Sequence, residues 1–528
     1  MKASIHVLVV STLIFGCGGA TGKGTASSDS RNDVIGATGA LEGNDQGGEE
    51  LLRPFSTPTG AIQTFTVSGE VDTNNPFFRS LGSNGRSCDS CHQASDGWTI
   101  TPPHVQARFN ATNGLDPIFR KNDGANSPDI DDSTVEARRR GYSMLLSKGL
   151  IRVGIGIPGN AEFELVEADD PYHFASGSEL SLFRRPLPST NLKFLATVMW
   201  DGRETFRGAS IDFDLLDQAN GATRGHAQAL ADLTPEQRRE IVDLEMTLFT
   251  AAISDENSGR LDQQDARGGP EFIESERFYI GINDVLGADP TGRPFDPHVF
   301  TIFDAWTNLE GGGRAEARAA VARGQLLFNT RTIHITGVKG LNDALGVEDL
   351  PGTCTTCHDT PNAGNHSVSL PIDIGLAAES RRTPDLPLYT LRNRTTGELI
   401  RTTDPGRALI SGHWRDIGKF KGPILRGLSA RAPYFHNGFA ADPTAVAEFY
   451  DGRFNMHLSD AEKSDLVAFH SCPVARQPFP IDRSIQSRSF EVHLLQQSLE
   501  PRIGTQAVEE WPPLQLSQPR IPLRVGSA

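Results

Sequence analysis

The sequence is poor in cysteine, in basic residues and in long apolar stretches. It has six cysteines among 528 residues, and its 50 Lys and Arg face 66 Asp and Glu, for a formal net charge of −16. An acidic surface disfavours nucleic acid and anionic lipid. The apolar run from Val7 to Phe15 is shorter than the roughly 20 residues that span a bilayer. These shortages argue against a nucleic-acid-binding protein, a disulfide-stapled fold and a membrane-spanning helix at this run.

Four of the six cysteines form two copies of one motif, Cys88-Asp89-Ser90-Cys91-His92 and Cys354-Thr355-Thr356-Cys357-His358. Two thiols at this spacing reach the two vinyl groups of one porphyrin, and the following His reaches the iron. Redox dithiols or half zinc sites are the alternative, but a zinc site needs a second ligand pair close by. The motifs therefore predict two covalent haem c groups, with His92 and His358 as axial ligands.

Haem c is attached outside the cytoplasm, so an export signal is expected. Residues 1–20 have the charge and length of a signal peptide, and Ile14-Phe15-Gly16-Cys17 resembles the lipobox of bacterial lipoproteins. The alternative to a lipid anchor on Cys17 is simple cleavage near Ala20. Either reading predicts the periplasm, or an outer-membrane or other cell-envelope lipoprotein, of a bacterium. Residues 21–60 are predicted to be a flexible linker.

Between the linker and a Pro-rich C-terminal extension at 473–528, the chain repeats itself. An aromatic turn follows each motif, Met199-Trp200-Asp201-Gly202-Arg203 and then Tyr434-Phe435-His436-Asn437-Gly438. A capped helix closes each half. The sequence thus predicts a mainly α protein of two tandem cytochrome c-like haem domains with long loops and insertions. The first domain is expected at 61–300, with an insertion, and the second at 301–472, where the lone Cys472 ends the core.

The paired motifs, Trp200-Asp201-Gly202-Arg203 and the segment from Ala432 to Gly438 together resemble the bacterial dihaem cytochrome c peroxidases and the related MauG-type enzymes. The resemblance covers roughly residues 70–472. It implies that hydrogen peroxide is reduced at the N-terminal haem, with electrons relayed through the C-terminal haem from a small cytochrome or cupredoxin. The alternatives are a MauG-like or oxygenase-like oxidant, and a purely electron-transferring dihaem cytochrome.

The resemblance also implies a sixth ligand for the second iron, which is Met in the peroxidases and Tyr in MauG-type enzymes. Tyr450 falls within one position of that ligand, and Met456 is the alternative. His436 resembles the family residue that hydrogen-bonds the haem edge. His334 and His366 flank the second motif and are expected to contact propionates or to pack in loops.

A distal acid or base is the least defined part of the prediction. The family places a Gln just before the aromatic turn and a Glu shortly after it, whereas this chain has Val198 before the turn and a lengthened segment after it. Proton transfer to peroxide needs such a group near the iron. The candidate catalytic residues are Glu204, Asp217, Gln218 and His226. A calcium ion between the domains is known in the family, but Pro186 and Arg431 replace its ligands here, which argues against it.

Overall fold

The computed structural model describes residues 47–206 and 208–471. The predicted signal peptide, the lipid anchor on Cys17, the lone Cys472 and the extension at 473–528 lie outside the described residues, as does the linker up to residue 46. Among the described residues, no helix combines the length and the apolar character needed to cross a membrane.

The described chain is of mixed secondary structure, 32% helical and 16% strand, so the prediction of a mainly α fold is wrong. Its α-helices are α1 Pro102–Thr112, α2 Val135–Gly141, α3 Ser143–Lys148, α4 Ile211–Gly225, α5 Pro235–Thr247, α6 Pro270–Glu274, α7 Arg314–Thr330, α8 Asn342–Leu345, α9 Ala408–Ser411, α10 Pro443–Phe454 and α11 Asp460–Ser471. Its strands are β1 Phe55–Thr57, β2 Gly60–Phe65, β3 Ile151–Ile155, β4 Phe163–Asp169, β5 Leu180–Arg184, β6 Phe249–Asp255, β7 Gly259–Arg260, β8 Ile333–Thr336, β9 Asp349–Gly352, β10 Leu388–Asn393 and β11 Leu399–Thr402.

The strands form small antiparallel sheets that join distant parts of the chain. β4 pairs with β10, and β10 with β11, so the predicted insertion in the first half is hydrogen-bonded to the second half. β3 pairs with β5, whose five residues are all buried. A strand buried on both faces loses the alternation that identifies strands in a sequence, which explains why the prediction missed it.

The four-stranded sheet has the order β1-β2-β6-β7. Its first strand lies inside the segment 21–60, and Leu51 just before it is buried. Ordered structure therefore begins before residue 60. The remaining sheet pairs β8 with β9, immediately before the second Cys-x-x-Cys-His motif.

Helices α7 and α11 pack closely beside the second motif. A Cβ added at Gly324 on α7 would lie only 1.9 Å from the carbonyl oxygen of Asp465 on α11, so the contact requires glycine. The predicted capping boxes are present, since Thr234 and Gln237 bond reciprocally at the start of α5, as do Ser459 and Glu462 at the start of α11.

The two aromatic turns have the same backbone shape. Met199 and Gly202 in the first turn have φ values of 65° and 68°, and Phe435 and Gly438 in the second both have 66°. Trp200 thus occupies the position in its turn that His436 occupies in the second. This equivalence supports the internal repeat, while the domain boundaries at 300 and 301 stay a prediction.

Two candidate haem-binding cavities

The two Cys-x-x-Cys-His motifs fold in the same way. Each begins with a short 3₁₀ turn, Cys88–Ser90 in the first and Cys354–Thr356 in the second. A capping box closes each turn, between Ser87 and Ser90 and between Thr353 and Thr356. The local sequence, with a hydroxyl residue at each of these positions, therefore holds both thiols of a motif on one tight turn.

The histidine of each motif is oriented by a carbonyl six residues further along the chain. The Nδ1 atom of His92 lies 3.0 Å from the Trp98 carbonyl oxygen, and that of His358 lies 2.6 Å from the Gly364 carbonyl oxygen. Such a bond fixes the tautomer and leaves Nε2 with its lone pair for a metal. Burial lowers the pKa of each imidazole to about 4, which favours the neutral form that ligates iron.

A large cavity opens beside each motif. The first has an empty volume of about 1520 Å³ and the second about 1570 Å³, and both volumes include the open mouths. Both ring nitrogens of His436, on the wall of the second cavity, are buried without a hydrogen-bond partner. The thiols, the neutral imidazoles, the volumes and this orphaned side chain together fit a haem in each cavity.

Two of the four candidate catalytic residues reach the first cavity. Gln218 on α4 and His226 just after it lie on the wall, while Glu204 and Asp217 do not. Burial and the neighbouring Asp217 carboxyl raise the pKa of Glu204. The pair of carboxyls is thus beside the cavity rather than in its wall.

His226 is held by a charged network that the sequence did not reveal. Its Nδ1 hydrogen-bonds to the buried carboxylate of Asp123, which also pairs with the buried guanidinium of Arg86. Despite its burial, these partners lower the pKa of Asp123 and keep it ionised. A histidine whose Nδ1 faces a carboxylate has its other nitrogen free to exchange a proton.

Glu245 is a further acidic residue on the first cavity wall that the sequence analysis missed. It is 6% exposed, burial raises its pKa to about 7, and its Oε2 has no hydrogen-bond partner. Glu245 lies four residues after Ile241, on the apolar face of α5. A carboxylate on such a face was the sequence signal that could have found it.

The wall of the second cavity is mainly apolar and carries both proposed sixth ligands. Tyr450 on α10 and Met456 just after it line the cavity with His358. Burial, and then the nearby thiols of Cys357 and Cys354, raise the pKa of Tyr450. His436 stacks on Phe420 with a centroid distance of 3.9 Å. Tyr450 and Met456 both remain candidates for the sixth ligand.

Trp200 and Lys421 line both cavities. The indole Nε1 donates to the Arg185 carbonyl at 2.8 Å, and its ring lies edge-on to His436 with centroids 6.2 Å apart. The Lys421 ammonium donates to the Thr197 carbonyl, and burial lowers its pKa to about 7. An aromatic and a titratable amine therefore separate the two candidate haem sites.

Pro186 and Arg431 stand where the resemblance would place the calcium ligands, and Arg431 takes part in a buried contact with Arg185. Arg185, which precedes Pro186, donates from Nη2 to the carbonyl of Arg431 at 3.2 Å. The side chains of Arg185 and Arg431 are both buried. Two buried cations at this place disfavour a third.

No protein-family model matches the chain. Curated relatives named cytochrome-c peroxidase do match in part. "Cytochrome-c peroxidase IdrP2" of Denitromonas iodatirespirans is 31% identical over 128 residues, 22% of this chain and 35% of the relative. "Cytochrome-c peroxidase IdrP1" of Pseudomonas sp. (strain SCT) is 29% identical over 136 residues, 22% of this chain and 35% of the relative. "Cytochrome-c peroxidase IdrP1" of Denitromonas iodatirespirans is 28% identical over 190 residues, 32% of this chain and 43% of the relative.

The chain thus spans less than half the length of these relatives. The matches support a cytochrome c peroxidase-like family and a peroxidase-like haem c oxidoreductase. They do not single out the MauG-type enzymes.

Proposed function

We propose that this protein is a dihaem c oxidoreductase that reduces hydrogen peroxide in the first cavity with electrons that arrive through the second. One observation carries the proposal: the two cavities share one haem-attachment motif, but only the first has a carboxylate-paired histidine on its wall, among the described residues. Bound haem would supply an iron that takes an oxygen ligand and changes oxidation state by single electrons.

In the first cavity, Cys88 and Cys91 would hold the porphyrin and His92 would bind the iron. His226 takes a proton from peroxide and returns it to the departing oxygen, because Asp123 holds its Nδ1 and stabilises the protonated ring. Gln218 lies on α4, eight residues before His226, and offers an amide to hydrogen-bond the substrate. Arg86 keeps Asp123 charged and in place.

In the second cavity, Cys354, Cys357 and His358 would hold the other haem, with Tyr450 or Met456 as the candidate second protein ligand of its iron. An iron with a protein ligand on each side has no free position for peroxide, as suits an electron-transfer centre. Trp200 touches both cavities, and we expect electrons to pass by way of its ring. The electron donor is a small cytochrome or cupredoxin, consistent with the acidic net charge of the chain if the donor surface is basic.

Peroxide turnover by the purified dihaem protein with a reduced small cytochrome tests the proposal. Turnover should be present in the wild type and fall about 10²- to 10⁴-fold in His226→Gln, at unchanged haem content. His334→Gln is the matched control, because His334 is exposed and paired with Asp349 away from the cavities. A wild type with two haems and no turnover, or an undiminished His226→Gln, would overturn the proposal.

A MauG-like oxidant is a second candidate function, and Tyr450 on the wall of the second cavity is the observation that favours it. A phenolate ligand stabilises ferric iron, so such a protein would pass electrons from a cytochrome slowly. Slow turnover with a low second-haem potential would favour this candidate.

The proposed location is the periplasm or the cell envelope, with a lipid anchor on Cys17. The support is the haem c motif, which is matured outside the cytoplasm, together with the lipobox-like sequence. Cys17→Ser should move the protein from the membrane fraction to the soluble fraction. A wild type without an acyl mass would instead indicate a plain signal peptide.

A further inference from the structure

A buried group of three metal-ligating side chains lies outside both cavity walls. Asp284, Asp359 and His366 are 2%, 0% and 4% exposed, and one ligand atom from each lies within 4.8 Å of the others. Asp284 belongs to a loop after α6, and the other two belong to the loop that follows the second haem motif. The cluster therefore joins two loops that are far apart in the sequence.

The hydrogen bonds of the cluster leave its charge uncompensated. Asp284 Oδ2 accepts from the Ala288 amide at 2.9 Å, but its Oδ1 is buried without a partner. Asp359 accepts from the Ser367 amide at 2.6 Å and pairs with His366 Nδ1 at 2.9 Å. The imidazole thus pairs with Asp359 and leaves Asp284 Oδ1 unpaired, and a buried charge without a partner is costly.

Other buried polar atoms of the same loop also lack partners. Among the described residues, ten buried side-chain atoms have no hydrogen-bond partner, and four of them are here: Asp284 Oδ1, Thr360 Oγ1, Asn365 Oδ1 and Ser367 Oγ. All four are oxygens. These oxygens belong to the cluster or to residues close to it in the sequence, and buried oxygens without a hydrogen-bond partner can ligate a cation or its bound water.

We propose that Asp284, Asp359 and His366 bind one divalent first-row transition cation, Zn²⁺ or Mn²⁺. Two carboxylates suit both ions and the imidazole favours a transition metal over Ca²⁺ or Mg²⁺. Ligands bound at about 2.2 Å lie at most about 4.4 Å apart, so small movements close the cluster on an ion. The cation balances the two negative charges.

The cation would also position the second haem ligand. The loop that carries Asp359 and His366 also carries Gly364, whose carbonyl orients His358. Asn283, next to Asp284, donates to the Asp359 carbonyl at 3.2 Å, and the Gly281 amide donates to the Ser367 carbonyl at 2.9 Å. A metal that ties these loops together would hold the Gly364 carbonyl still against the axial imidazole.

The metal content of the tag-free dihaem protein tests the proposal. After equilibration with Zn²⁺ or Mn²⁺ and dialysis, the wild type should hold two iron atoms and one further metal ion. Asp284→Asn and His366→Gln should each lose the further ion and keep both haems. Asp255→Asn is the matched control, since Asp255 is also a buried Asp with one unpartnered oxygen but lies outside the cluster.

A second measurement covers variants that fail to fold. A strong chelator should lower the unfolding midpoint of the wild type, and added Zn²⁺ or Mn²⁺ should restore it. The low-spin spectrum of the second haem should shift as the ion leaves. The proposal would be overturned if the wild type held no further ion and the chelator left its unfolding midpoint unchanged. Retention of the ion in both cluster variants would overturn the site. Binding of Ca²⁺ alone would overturn the class of ion. Peroxide turnover does not enter either measurement.

Discussion

The two cavities are built from the same parts and differ in their walls. Each has a capped 3₁₀ turn that carries two thiols, and each has a histidine oriented by a carbonyl six residues on. The first wall adds His226 with its Asp123 partner, Gln218 and Glu245, whereas the second adds Tyr450 and Met456 within a mainly apolar surface. Under the proposed function, the shared motif would determine where haem is attached, and the wall would determine what that haem can do.

Removal of the thiols in turn should have the largest effect and would show whether the two sites are independent. Cys88→Ser with Cys91→Ser, and Cys354→Ser with Cys357→Ser, should each reduce the covalent haem content from two to one, because no thiol of that motif is left to form a thioether bond. Whole-protein mass spectrometry measures it. A wild type with fewer than two haems would remove the basis of the comparison.

Disruption of the charged network on the first wall should have the next largest effect. Asp123→Asn should lower peroxide turnover by about 10²-fold, because the amide cannot stabilise a protonated His226. Steady-state kinetics at several pH values gives the change in turnover, and the spectrum of the second haem should stay the same. Asp116→Asn is a suitable control, since Asp116 also pairs with an arginine, Arg108, but lies off the cavity wall.

Comparable loss of turnover in Asp116→Asn would show that Asp123 acts through general stability. In that case the Asp123–His226 pair on the first wall would have no specific role in proton transfer.

Replacement of the two proposed ligands on the second wall would show which of them binds the iron. If Tyr450 binds the iron, Tyr450→Phe should convert the low-spin ferric spectrum of the second haem to high spin while Met456→Leu changes little. A phenolate also stabilises ferric iron, so the wild-type potential should lie below that of a His/Met centre. Electron paramagnetic resonance and redox titration of both variants measure these effects. The reverse pattern would assign Met456 and the ordinary peroxidase arrangement.

Replacement of Glu245 should have the smallest effect, which is a change in how the free energy of unfolding depends on pH. Its pKa is about 7 in the folded protein against 4.5 for the free side chain, so the folded state binds more protons between these values. Stability should therefore fall as pH rises through that window, by at most about 3 kcal/mol, and Glu245→Gln should flatten the fall. Denaturant unfolding at pH 5 and pH 8 measures the slope. An equal slope in the variant would mean that Glu245 is ionised or solvated in the folded protein.

Local sequence signals predict the attachment residues and the helix caps, because each depends on neighbours within a few positions. Cys88 to His92, Cys354 to His358, and the caps at Thr234 and Ser459 are of this kind.

Contacts between distant residues could not be predicted in the same way. Asp123 and His226 are 103 residues apart, and β4 and β10 pair across more than 200 residues. Because β5 is fully buried, its sequence lacks the alternation of apolar and polar residues that identifies a strand. These long-range pairings produced both the acid–base network and the mixed fold that the sequence analysis missed.

Titration of the ferric dihaem protein with cyanide tests most directly whether the first cavity alone admits an exogenous ligand. The first site, whose wall carries His226 and Gln218, should bind one cyanide per chain, and the second site, where Tyr450 or Met456 would ligate the iron, should bind none. The variant without Cys354 and Cys357 should keep this binding, and the variant without Cys88 and Cys91 should lose it. Cyanide binding that persists without Cys88 and Cys91, or is absent from the wild type, would contradict the division of roles between the two cavities.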